Sequence, residues 1–226
     1  MARYEASLDH TQSAPTISRR AYNALTFGLV TVAFLIMWGM YLFVSNGGLA
    51  TFLGGAGSIG ALIVYLIGTI GGIALMSKGK SDQSVPISLV GFFLFAFMFS
   101  GTLGHALTRY NVGTITYAFG ITACLSGIFL IAGVTFPEFF SKIGGVLCVS
   151  LIGVIIAELI ATFFFHANQT IFDYIIVLIF CGFLGFDSYR LSLDQPTVPN
   201  AIWYASDIFI DIANILVRVL SILDRD

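Results

Sequence analysis

The most constraining feature of this sequence is a long apolar stretch that carries two carboxylates in its interior. It runs from Ala201 to Leu223 and reads AIWYASDIFIDIANILVRVLSIL. Four polar residues within it are spaced four, three and four residues apart: Asp207, Asp211, Asn214 and Arg218. In a helix these spacings place all four on one side. The stretch therefore predicts a helix with one polar stripe, which faces water on a soluble protein, or protein, ions or water within a membrane.

Composition decides between these two environments. Hydrophobic residues make up 58% of the chain and charged residues only 10%, and the mean hydropathy is +0.95. Because a soluble domain has about 25% charged residues, this chain cannot cover a water-facing surface with charge. We therefore predict an all-α, polytopic membrane protein surrounded by the lipid bilayer. A net charge of −2 argues against a nucleic-acid partner.

We predict seven membrane-spanning helices, because a hydrocarbon core of about 30 Å needs about 20 apolar residues per span. The approximate bounds are 21–44, 56–77, 85–107, 112–134, 143–165, 170–189 and 200–223. Residues 1–20 form a polar N-terminal tail, and residues 21–226 form one seven-helix transmembrane domain. The apolar run after the tail is too long to be a signal peptide that is removed.

Basic residues predict the orientation of these spans. With a cytoplasmic N-terminus, seven of the ten Lys and Arg residues fall on the cytoplasmic side and three on the other. Loops on the cytoplasmic side of membrane proteins carry the excess of positive charge. We therefore expect a multi-pass protein with its N-terminus in the cytoplasm. The C-terminus then lies outside, unless the last helix dips in and returns.

Carboxylates inside a bilayer cost about 2.5 to 3.5 kcal/mol each on insertion scales and are usually paired or functional. Four qualify by position: Glu158, Asp187, Asp207 and Asp211. Asp187 ends the sixth span at a depth similar to the start of the seventh. The rise along a helix does not decide whether Asp187 meets Asp207 or Asp211. Two carboxyls in a dry site are expected to share a proton, and after deprotonation they are oxygen ligands of the kind that Ca²⁺ prefers.

The other polar groups are interpreted more simply. Glu158 must find a partner on another helix or stay protonated, and structural and functional roles are equally open for it. Acidic residues at span ends, Glu138, Asp173 and Asp194, are interpreted as solvated boundary charges. The chain has no Gly-x-Ser-x-Gly, His-Glu-x-x-His or Gly-x4-Gly-Lys-Ser/Thr motif. We therefore expect neither an enzyme nor a resident cofactor.

The last two spans resemble the Bax inhibitor-1 family, also called the transmembrane BAX inhibitor motif proteins. Residues 182–189, GFLGFDSY, are similar to the GFxxFDTQ-type element of that family. The seventh span, with Trp203 followed by Asp207-x-Phe209-x-Asp211, is similar to its closing helix. The separation of 24 residues between Asp187 and Asp211 also fits.

This resemblance implies a prokaryotic inner (plasma) membrane protein with the C-terminal helix at the centre and six helices around it. It also implies a pH-sensitive calcium leak controlled by a di-aspartyl pair, here Asp187 and Asp211, which would bind Ca²⁺ transiently. Asp207, Glu158, Asn214 and Arg218 are then candidates for lining the pore or binding ions. Some bacterial members have a basic residue in the second helix that engages the pair, and residues 56–77 contain none.

The expected partners are calcium ions, protons and the lipid bilayer, with other membrane proteins as a further expectation. Two alternative functions remain open. One is a proton-coupled carrier that uses the same carboxylates. The other is a non-transporting regulator of membrane proteases or cell-death proteins, for which Asp187 and Asp211 would be dispensable.

Overall fold

The computed structural model describes residues 15–48, 59–165 and 169–225, and within these residues it contains seven helices. They are α1 (Arg19–Ser45), α2 (Ile59–Ser81), α3 (Val85–Leu107), α4 (Val112–Thr135), α5 (Pro137–Phe165), α6 (Thr170–Leu193) and α7 (Val198–Leu223). Each predicted span corresponds to one helix. The first residues of the predicted tail, 1–14, and of the second predicted span, 56–58, lie outside the described residues.

Three helices extend four or more residues beyond the predicted bounds. α2 continues through two lysines to Ser81, and α6 continues through Arg190 to Leu193. α5 begins at Pro137 rather than at residue 143, because proline suits the first turn of a helix, where its missing N–H is not needed. These extensions bring charged side chains to the ends of the bundle.

Five helices in the described part of the chain are long and apolar enough to cross a membrane. They are Arg19–Ser45, Val85–Leu107, Val112–Thr135, Pro137–Phe164 and Thr170–Leu193. Large apolar side chains on their outer faces are exposed, among them Leu35, Val149 and Phe163. The prediction of an all-α polytopic membrane protein is confirmed.

The last helix, α7, lies at the centre of the bundle, as the resemblance implied. It packs against α1, α2, α3, α4 and α6. Phe209, which is fully buried, makes edge-on ring contacts with Phe34, Phe95 and Phe99 at centroid distances of 5.0, 6.2 and 5.8 Å. α5 packs mainly on α6 and reaches α7 through an ion pair between Glu158 and Arg218. The central position of α7 explains why its polar stripe must find partners inside the protein.

Close backbone approach at glycine joins α2 to α3. A methyl group added at Gly72 would lie 2.5 Å from the backbone nitrogen of Phe95, and one added at Gly91 would lie 2.6 Å from that of Met76. Helices in lipid associate by such close approach, because the bilayer removes the hydrophobic drive that operates in water.

Replacing Gly72 with alanine is therefore expected to destabilise the protein by about 1 to 3 kcal/mol, which is the usual cost of overpacking. A matched Gly39→Ala variant should keep wild-type stability, because its new methyl group meets nothing within 4 Å. Thermal unfolding of the two purified variants in detergent measures the difference. Equal unfolding midpoints would contradict this account of the α2–α3 contact.

Candidate functional site

Two buried carboxyl groups meet where α6 packs against α7. Asp187 lies within two turns of the end of α6 and Asp211 lies near the middle of α7, and they are 6% and 5% exposed. Their carboxyl groups are close enough to share a hydrogen bond. Oδ2 of Asp211 is enclosed and accepts no hydrogen bond from any donor among the described residues. A hydrogen bond between two carboxyls needs one proton, since ionised carboxylates only accept.

The two aspartates differ in their charged neighbours. Nη1 of Arg190, one turn further along α6, lies 3.3 Å from Oδ1 of Asp187. The same guanidinium lies 5.5 Å from the ring centroids of Phe186 and Tyr204. The charged groups acting on Asp211 are the carboxylates of Asp187 and Asp207. Asp187 therefore has a cation to balance it, whereas the charged groups that act on Asp211 within the described part of the chain are carboxylates.

Asp207 lies one turn before Asp211 and completes what we call the carboxyl cluster: Asp187, Asp207 and Asp211. Its side chain is partly exposed and lies close to the side chain of Trp203. It lies within electrostatic range of Asp187 and of the cations Arg190 and Lys80. Asp207 is thus the member of the cluster nearest the surface.

A basic residue of α2 also reaches this end of the bundle, although residues 56–77 contain none. Nζ of Lys80 lies 3.5 Å from Oδ2 of Asp194 and 4.8 Å from the ring centroid of Tyr204. The Tyr204 hydroxyl donates to the same carboxylate oxygen at 3.0 Å. Sequence reasoning missed Lys80 because it placed the end of the second span at residue 77, four residues before the end of α2.

A second group, of four charged side chains and one hydroxyl, lies toward the other end of α7. We call it the Arg218 cluster, and its members are Glu158, Asp173, Arg218, Ser221 and Arg225. Nη1 of Arg218 lies 2.8 Å from Oε1 of Glu158 and 2.7 Å from Oδ1 of Asp173. Nη2 of Arg218 donates to Oε2 of Glu158 at 3.2 Å. Glu158 therefore has the partner on another helix that the sequence required.

Asp173 was interpreted from sequence as a solvated boundary charge, and that interpretation is wrong. The residue is 1% exposed. Its carboxylate accepts hydrogen bonds from Arg218 and from the Ser221 hydroxyl at 2.9 Å, and it lies 3.1 Å from Nη1 of Arg225. These partners are more than forty residues away in the chain. The position of Asp173 at the end of a span therefore gave no sign of these partners.

Asn214 lies between the two clusters and joins neither through a hydrogen bond in the described part of the chain. Its amide donates to the carbonyl oxygen of Ile210 at 2.8 Å, within α7. Seven residues of helix separate Asp211 from Arg218, which is about 10 Å of rise. The structure thus divides the polar stripe of α7 into two separate charged sites.

Over residues 14–226 the sequence matches the model of a protein family described as Inhibitor of apoptosis-promoting Bax1. A protein of Schizosaccharomyces pombe called Bax inhibitor 1 is 33% identical over 67% of this chain, and the aligned region spans 57% of that protein. An uncharacterized protein of Borreliella burgdorferi is 26% identical over 96% of this chain and 98% of its own length.

An uncharacterized membrane protein of Streptococcus pyogenes serotype M3 is 26% identical over 74% of both chains. No solved structure matches the chain.

Replacing Asp173 with asparagine is expected to lower the free energy of unfolding by about 1.5 to 3 kcal/mol, because it weakens charge-assisted hydrogen bonds and leaves the two guanidiniums of the cluster with one carboxylate. A Glu138→Gln variant is the control, since Glu138 is exposed and should change stability by less than about 0.5 kcal/mol. Denaturation of both variants in the same detergent measures the effect. A small effect at position 173 would mean that water already solvates the cluster.

Proposed function

Because the chain belongs to the Bax inhibitor-1 family, we propose that it is a calcium leak channel of the membrane whose opening depends on pH. The observation that carries this proposal is the contact between the buried carboxyls of Asp187 and Asp211. This contact joins α6 to the central helix. A group that takes up or loses one proton there changes the force between the two helices.

The shared proton belongs on Asp211 in this proposal. Asp187 has the Arg190 guanidinium 3.3 Å away and can hold a negative charge. Among the described residues, the charged neighbours of Asp211 are carboxylates, and its enclosed oxygen has no donor. A protonated Asp211 that donates to Asp187 satisfies both groups and holds α6 against α7. This is the closed state.

Loss of that proton opens the channel. Two negative charges in a poorly hydrated site repel each other, so the helices separate or a cation enters between them. Carboxylate oxygens suit Ca²⁺, and the partly exposed Asp207 adds negative charge at the entrance. The calcium flux should therefore rise as pH rises. Glu158, Asn214 and Arg218 are proposed to line the rest of the path along α7.

We propose a cytoplasmic N-terminus in the inner membrane, which puts the carboxyl cluster near the cytoplasm. The placement of cations supports this orientation, because Arg19, Lys80 and Arg190 gather at one end of the bundle. Nη1 of Arg19 donates to the carbonyl of Leu191 at 3.2 Å. Excess positive charge is typical of the cytoplasmic side. In this orientation the channel responds to cytoplasmic pH.

Purified protein in liposomes with a trapped calcium dye tests the proposal. Flux through the wild type should rise with pH, and both Asp211→Asn and Asp187→Asn should remove most of that dependence. The double variant should add little, because both substitutions act on one coupled pair. Asp82→Asn is the matched control, since Asp82 is exposed in the α2–α3 connection and should keep the wild-type profile.

The outcomes separate the alternatives. A proton-coupled carrier would give a saturable flux with a fixed ratio of protons to calcium. A regulator that does not transport would give no flux above empty liposomes. A wild-type pH profile in both single variants would place the sensor outside the pair and would refute its role.

A further inference from the structure

We propose that the Glu158–Arg218 ion pair has two roles. It holds α5 against the central helix, which we call the attachment, and it keeps cations out of the far end of the polar stripe, which we call the closure. The cation part of this inference rests on the proposed function. The attachment of α5 rests on the contacts alone. The two parts are therefore tested by different measurements.

α5 is held differently along its length. Its first half is seated on α6, where Phe140 is buried and a methyl group added at Gly144 would lie 2.5 Å from the ring of Phe186. Its second half contacts the core through the partly buried Val154, whereas Ile160 further along is exposed. Apolar packing therefore holds the beginning of α5 more extensively, and a charged contact adds to it where the later part meets α7.

That charged contact comes from Glu158, whose side chain is 14% exposed. Both of its carboxylate oxygens accept from Arg218, at 2.8 and 3.2 Å. Arginine and carboxylate in this two-pronged arrangement form a strong and directional pair. The guanidinium of Arg218 also reaches Asp173 at 2.7 Å, so one side chain of α7 links α5 and α6.

The charge balance of the cluster explains how it would exclude cations. Glu158 and Asp173 carry two negative charges, and Arg218 and Arg225 carry two positive ones. Each carboxylate is occupied by a guanidinium, so neither is left free to bind a passing cation. Arg218 also places positive charge on the polar stripe about 10 Å from Asp211. A cation that follows the stripe therefore finds no free carboxylate in this cluster and must pass close to the Arg218 guanidinium.

The two clusters differ in how they respond to pH. The carboxyl cluster changes charge by losing a proton. Arginine stays protonated in proteins, so the positive charge of Arg218 does not vary with pH. Removal of Arg218 should consequently change how much calcium passes, whereas removal of Asp187 or Asp211 should change how the flux depends on pH.

The attachment of α5 is tested by the distance between spin labels at positions 160 and 224, both of which are exposed. The labels are placed in full-length protein whose three cysteines have been replaced by alanine. Glu158→Met and Arg218→Gln should lengthen and broaden the distance distribution. Arg109→Gln removes an exposed charge outside the cluster and should leave the distribution unchanged. Identical distributions in all four proteins would overturn the attachment.

The closure is tested by calcium flux in liposomes. Arg218→Gln and Glu158→Met should each raise the calcium flux about fivefold or more, both below and above the pH at which the wild-type flux rises. Fivefold is the lower end of the typical coupling between two sites. The midpoint of the transition should not move. An unchanged flux in variants whose α5 has separated would overturn the closure. If the wild type carries no calcium, the proposed function fails, and the spin-label distances still decide whether the ion pair holds α5.

Discussion

The need to neutralise charge inside a membrane protein governs this structure. α7 carries Asp207, Asp211 and Arg218 and is surrounded by other helices instead of water. A buried charge is tolerated when a counter-charge or a proton balances it. The neighbouring helices supply counter-charges at two places, through Arg190 and Lys80 near Asp207 and through Glu158 and Asp173 around Arg218. The positions of α5 and α6 against α7 are therefore fixed by charge as well as by apolar packing.

The carboxyl cluster and the Arg218 cluster balance their charges in different ways. In the carboxyl cluster, three carboxylates face the cations Arg190 and Lys80, so a proton is the simplest way to complete the balance. In the Arg218 cluster, two carboxylates face two guanidiniums and no proton is needed. One end is therefore suited to a response to pH, and the other to a fixed contact. About two turns of α7, which include Asn214, keep the two sites apart.

Sequence reasoning was successful where the signal was local. The apolar length of each span located all seven helices, because a bilayer demands about 20 apolar residues regardless of what they touch. The motif around Asp187 and the spacing to Asp211 identified two residues that the structure brings together. The same reasoning failed for Asp173, whose position at a span end resembles that of the exposed Glu138. The difference lies in Arg218 on another helix and in Arg225 just beyond the end of that helix, and a single sequence contains no record of this pairing. Lys80 was missed for a related reason, since a helix can continue past the end of its apolar run.

The central position of α7 also has a consequence for how the protein is made. α7 follows the other six helices in the chain, yet it occupies the middle of the bundle. On its own it would carry unpaired charges into the bilayer, each at a cost of about 2.5 to 3.5 kcal/mol. Glu158 and Asp173 lie on α5 and α6, which precede α7 during synthesis, and they provide the counter-charge that Arg218 needs. We therefore expect membrane insertion of this helix to depend on helices that are already in place, with its ion pairs setting the depth at which it comes to rest.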